Sequence, residues 1–211
     1  MNNKLLNVAL GIALTATTLG VSAQKTYTSG MVSYSTEVQG QPADVKQYFT
    51  PDSSAVVMTV GPANVKVLST VKHDYLAVVL DVPVASMKKA GIATPAELEQ
   101  AMSMIPTFTF TPTTETKKIS GFNCKKVIAK DSKSGKSYDV WVTNDISVPT
   151  TAFPYYYAAA GGFPVQYTIF QQGQEINITI GGISDEKAPA GTFAIGKDFE
   201  KGSLADLRPG G

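Results

Sequence analysis

The sequence predicts an α+β domain that is mainly β: a single curved antiparallel sheet, an open half-barrel, with one or two short helices over its concave face. Three observations carry this. Apolar and polar residues alternate by twos almost throughout. Turn-forming dipeptides recur between strand-sized runs. One segment carries a well-formed helix start. A long one-sided sheet curls, and its apolar inner face needs a cover.

The first segment stands outside that domain. MNNKLLNVALGIALTATTLGVSA has one positive charge, Lys4, an apolar run from Leu5 to Leu14, and small residues ending at Val21-Ser22-Ala23. This three-part pattern predicts a secretory signal peptide (residues 1–23) cleaved after Ala23, and so a periplasmic or secreted protein. The apolar run is too short to span a bilayer. No cysteine follows the small residues, so no membrane anchor is expected after cleavage. Residues 24–211 then form one domain, long enough for a sizeable core.

The strands follow in order. MVSYSTEV places Val32, Tyr34, Thr36 and Val38 on one side, and AVVMTV places Val56, Met58 and Val60 together. NVKVLSTV aligns Val65, Val67 and Val71, and YLAVVLDV aligns Leu76, Val78, Leu80 and Val82. PTFTFTP alternates Phe108 and Phe110 with threonines, and SYDVWVT sets Tyr138, Val140 and Val142 opposite Trp141. VQYTI and EINITI add Val165, Tyr167 and Ile169, then Ile176, Ile178 and Ile180. Turns are predicted at Pro51-Asp52, Gly61-Pro62, Ser134-Gly135, Gln172-Gly173 and Gly181-Gly182. Such alternation predicts one packed face and one wet face.

Thr94-Pro95-Ala96-Glu97 is a capping box with proline at the first helical position. Leu98, Met102 and Ile105 then share one stripe, and Pro106 ends it, which predicts a helix over 95–105. VASMKKAGIA before it is read as an irregular helical turn. SLADL near the C-terminus is read as one more turn.

One stretch resembles a known family. TTETKKISGFNCKKVIAKDSKSGKSYDVWVTNDI (113–146) is similar to the core signature of a bacterial periplasmic family of domains of unknown function. The residues are Ile119, Gly121, Phe122, Cys124, Lys125, Lys126 and Trp141. That family is grouped with the LolA-like lipoprotein-carrier folds and is related to GLPGLI-type proteins. GGFPVQY resembles the Gly-apolar-Pro step of the latter, and AGTFAIGKDFEKGSLADL resembles their last strand and terminal helix. The resemblance covers most of the C-terminal half and implies a curved half-barrel with helices over its hollow. In the characterised carriers of that fold the hollow holds acyl chains. LolA's arginine-based contact residues have no counterpart here.

The chemistry excludes more than it supplies. Lys4 is the only charge in the first 23 residues, so the remainder carries 17 basic and 17 acidic side chains. That balance predicts no nucleic-acid partner. One histidine, His73, and one cysteine, Cys124, lie far apart without metal-ligand spacing, so no metal and no cofactor are expected. DSKSGKS (131–137) reads as a hairpin tip. Cys124 reads as a small buried hydrophobe, and His73 as a solvated turn residue. Asp52, Asp74, Asp81 and Asp145 each sit near a strand end, where aspartate commonly serves a turn. No catalytic residue is assigned.

What remains is apolar binding. FPYYYAAAGGFP (153–164) sets three tyrosines beside two glycines. The favoured reading is a movable cover, with the glycines giving backbone freedom; a permanent plug is the other. The expected ligand-binding set is Leu98, Met102, Ile105, Phe108, Phe110, Tyr155, Tyr156, Tyr157 and Phe163. The expected partner is a lipid or other apolar small molecule. An envelope protein meeting the aromatics is the alternative, and an unrecognised hydrolase the second.

Overall fold

The computed structural model describes residues 24–38, 41–171 and 173–207. Its centre is one curved, open sheet of twelve strands, with a single α-helix among the described residues. From rim to rim the order is β14 (Glu200–Ser203), β7 (Met87–Ile92), β6 (Leu76–Val82), β5 (Ala63–Thr70), β4 (Ser53–Val60), β3 (Gln41–Phe49). It continues through β2 (Gly30–Val38), β13 (Gln174–Ser184), β12 (Phe163–Gln171), β10 (Ser137–Thr143), β9 (Phe122–Asp131) and β8 (Phe108–Ile119). Two-residue strands β1 (Lys25–Thr26) and β11 (Ile146–Ser147) pair separately and in parallel. The mainly β, open half-barrel prediction holds. The segment read as a signal peptide lies outside the described residues.

Hairpins build both halves, and one long-range pairing joins them: β2 against β13, with Tyr34 opposite Ile180. Four of the predicted turns fall between consecutive strands, but Gly181-Gly182 does not. It lies within β13, where the register shifts between Ile180 and Gly182, so the glycines accommodate a bulge. Two further expectations change. The helical turn before α1 is confined to Pro83–Ala85, and Met87–Ile92 is strand β7. The resembling C-terminal segment yields only the short β14, parallel to β7, and one 3₁₀ turn at Ala205–Leu207.

The helix α1 (Pro95–Ser103) begins as predicted. Glu97 N–H donates to Thr94 Oγ1, and Thr94 N–H donates back to Glu97 Oε2 at 2.8 Å. It connects β7 to β8, near opposite rims of the sheet. Glu97 Oε1 also accepts from Ala205 N–H, and Lys133 Nζ donates to the carbonyls of Ser103 and Ile105. These ties hold the helix between the C-terminal turn and the β9–β10 hairpin.

Two hydrophobic clusters flank the sheet. The larger fills the inner face of the half that includes β2, β12, β13, β10 and β9, with Val32, Val140, Val165 and Ile180 fully buried. The smaller lies on the opposite face of β4–β7, where Ala55, Leu68, Ala77, Val79 and Ala90 are covered by Phe193, Ile195 and Phe199. The expected wet face is therefore dry in this half. The covering segment is pinned by Lys66, whose Nζ donates to the carbonyls of Gly191 and Ala194 at 3.0 and 2.6 Å.

At the β8 rim, Pro112 interrupts the ladder and the register shifts before Thr116. Lys117 and Lys118 follow, both exposed.

Candidate functional site

The inner face is roofed by the segment between β11 and β12. Pro149 and Pro154 have extended φ/ψ, and each starts a 3₁₀ turn: Thr150–Ala152 and Tyr155–Tyr157. Tyr157 enters the core with no solvent exposure, and its hydroxyl donates to the carbonyl of Thr168 at 2.6 Å. Burial pushes its pKa well up. A buried tyrosine needs such a partner, and this one roots the roof to β12.

Beside that anchor, roof and sheet flank a half-open cavity of about 330 Å³. Val45, Val56, Met58, Ile169, Ile176 and Ile178 form its apolar wall, and Phe153, Pro154 and Tyr155 its roof. The strands supply the wall through alternate positions facing one way. Val45 opposes Met58 across β3–β4, and Ile169 opposes Ile176 across β12–β13. Among the twenty described lining residues there is no Asp, Glu, Lys or Arg.

A polar network lies in one wall. Tyr34 O–H donates to Gln47 Oε1. Gln47 Nε2 donates to Ser54 Oγ at 2.8 Å and to the carbonyl of Thr151 at 2.7 Å, tying roof to sheet. Burial raises the phenols of both Tyr34 and Tyr167, so they stay neutral. At the rim, the His73 ring packs against Tyr155, tilted by 39°, with ring centroids 4.2 Å apart. Burial lowers the His73 pKa, outweighing the Asp74 carboxylate that raises it. His73 is in the predicted turn, but half-buried against the cavity instead of solvated.

The predicted site residues divide. Tyr155 lines the cavity. Leu98, Met102 and Ile105 do not: α1 is held by the bonds of Glu97 and Lys133 described above, and Met102 is 44% exposed. Phe108, Phe110, Tyr156 and Tyr157 are in mutual aromatic contact, with Phe108 stacked on Tyr157 at 5.4 Å. Phe163 is buried edge-on to Phe153. These five pack in or against the core, and none of them lines this cavity. The movable-cover reading loses its support as well. Gly161 has φ +84°, and a Cβ on Gly162 would meet the Thr143 carbonyl oxygen at 2.8 Å, so turn geometry and close approach account for both glycines. Tyr157 is buried, and Tyr155 and Tyr156 are half-buried.

Residues the sequence reading passed over do most of the lining. Val56, Met58, Tyr167, Ile169, Ile176 and Ile178 were legible as inward strand faces; only the strand order brings them together. Gln47, a polar residue two positions from both Val45 and Phe49, was the one local signal of a polar spot within an inward face.

Nucleophilic chemistry finds no constellation here. Cys124 is buried outside the cavity lining, its Sγ 3.6 Å from the Phe122 carbonyl, and burial pushes its thiol up to about 11. Asp74 accepts from Thr70 Oγ1 and Asp145 from Asn123, and none of the four strand-end aspartates lines the cavity. Asp131 caps the β9–β10 hairpin by accepting from Ser134 N–H and Oγ–H. Among the described residues no group of three or more His, Cys, Asp or Glu is placed to hold a metal, and no helix is long and apolar enough to cross a membrane.

No protein-family model matches the chain, and no curated protein matches it. Among solved structures it is similar to PNGF-II in its C2 and P21 crystal forms, each with a TM-score of 0.48, at 15% and 13% identity. The alignments cover 84% and 85% of this chain but 31% and 32% of the PNGF-II chains, so the chain spans about a third of their length.

Proposed function

We propose that this is an exported protein that binds a lipid or other hydrophobic small molecule between the curved sheet and the roof at 150–157. The observation that carries the reading is the cavity itself: about 330 Å³, walled by aliphatic side chains, with a few placed polar groups. That volume and lining match the general make-up of small-molecule sites. The secretory pattern of residues 1–23 and the resemblance to LolA-like carriers support the same reading. The binding surface differs from the expected one, since strands and roof line it without α1.

Organic extraction and native mass spectrometry of the purified protein, with uptake of the neutral dye N-phenyl-1-naphthylamine, test this. The expected result is a co-purifying apolar molecule or saturable dye uptake. Val56→Trp, which fills the cavity, abolishes uptake; Met102→Ser leaves it unchanged. Ligand-free protein that ignores the dye, or uptake lost equally in both variants, overturns the proposal.

A further inference from the structure

Resting on that reading, we infer that the cavity selects an uncharged amphiphile whose oxygen is received by Ser54 and Ser69, and discriminates against both fatty-acid carboxylates and cationic lipids. The two serines are register partners on β4 and β5, and both line the cavity. Ser54 is buried and accepts from Gln47 Nε2; among the described residues its own hydroxyl proton is given to no acceptor. Ser69 makes no side-chain hydrogen bond to a described residue. Upstream, both Gln47 amide protons are spent on Ser54 Oγ and the Thr151 carbonyl, and Tyr34 is spent on Gln47. The network thus ends in hydroxyl donors at the cavity wall, suited to an alcohol, ester or ether oxygen.

The same lining offers an ion no counter-charge. A buried charge needs a partner, and the described lining holds no carboxylate, ammonium or guanidinium. Lys72 and Asp74 flank His73 in sequence but are not among the lining residues, and the Asp74 carboxylate accepts from Thr70 Oγ1 at 2.6 Å. His73, the one basic ring, sits against Tyr155 at the rim.

The test displaces N-phenyl-1-naphthylamine from the delipidated full chain at pH 8, using 1-decanol, methyl nonanoate, decane, decanoate and decyltrimethylammonium. Decanol and the ester should compete at concentrations at least about tenfold below the two ions. Ser69→Ala should cut the preference for decanol over decane about fivefold, the loss of one hydrogen bond; its dye uptake reports that it is folded. Decanoate or decyltrimethylammonium competing as well as decanol overturns this inference and leaves the binding function standing. An unchanged decanol-to-decane ratio in Ser69→Ala does the same. No dye uptake by the parent protein overturns both.

Discussion

The Tyr157 hydroxyl, wholly shielded from solvent, donates to the Thr168 carbonyl at 2.6 Å across the gap between roof and sheet. Tyr157→Phe keeps the ring and deletes that bond, so it should cost about 1–3 kcal/mol. Tyr157→Ala also empties the space beneath Phe108 and should cost about 3–5 kcal/mol. Urea unfolding with an unchanged slope measures both. A negligible cost for the alanine variant would mean the roof is not rooted there.

Gly161 and Gly162 should respond differently to alanine. Gly161 has φ +84° with open space around a Cβ, so Gly161→Ala pays only the left-handed backbone penalty, about 1–2 kcal/mol. At Gly162 the added methyl meets the Thr143 carbonyl oxygen at 2.8 Å, and backbone must shift, at about 1–3 kcal/mol. Crowding at Gly162 should also disturb the β10–β12 contact, visible as changed amide shifts at Thr143 and Phe163. Shifts confined to residues 160–163 would contradict this.

His73 predicts a direction with pH. Burial holds its folded pKa below the ordinary 6.5, so the unfolded chain binds the proton more readily. The stability it contributes is complete above about pH 6.5 and is lost as pH falls from there through the lower folded pKa. His73→Asn keeps the backbone at φ +58°, which asparagine tolerates, and removes the titration. Between pH 7.5 and 5.5 the parent Tm should fall further than that of the variant. Parallel Tm curves would refute the assignment.

Cys124 should behave as an inert core thiol. Its thiol, raised by burial to about 11, leaves a thiolate fraction about a hundredfold or more below that of an exposed cysteine at pH 8. Labelling by a disulfide reagent should be slower in the native protein by at least that factor and complete within minutes in denaturant. Rapid native labelling would refute the buried-thiol assignment.

The strands were readable because a two-residue period is local: Val140 and Val142 bury opposite Trp141 as the pattern implies. Their order was not, since the pairing of β2 with β13 joins residues about 150 apart and no spacing encodes it. The capping box at Thr94 was legible to the residue, yet where α1 docks depends on Ala205 and Lys133, remote in sequence. The second cluster has no periodic signature in the sequence, because Phe193, Ile195 and Phe199 lie in an irregular segment. Tyr155, Tyr156 and Tyr157 were visible as a feature, but on a 3₁₀ turn each points a different way, so one lines the cavity while its neighbours fill the core.

A sheet that never closes leaves a row of unspent amides along each border, and another copy of the chain is the natural thing to add there. Here both borders are spoiled as templates. Pro112 and the register shift after it break the outermost strand of one side, with paired lysines just beyond. The other side ends in four residues, Glu200–Ser203, whose Ser203 N–H is already given to the Asp206 carboxylate at 2.6 Å. The openness that makes room for the hollow thus comes without an invitation to fibril growth.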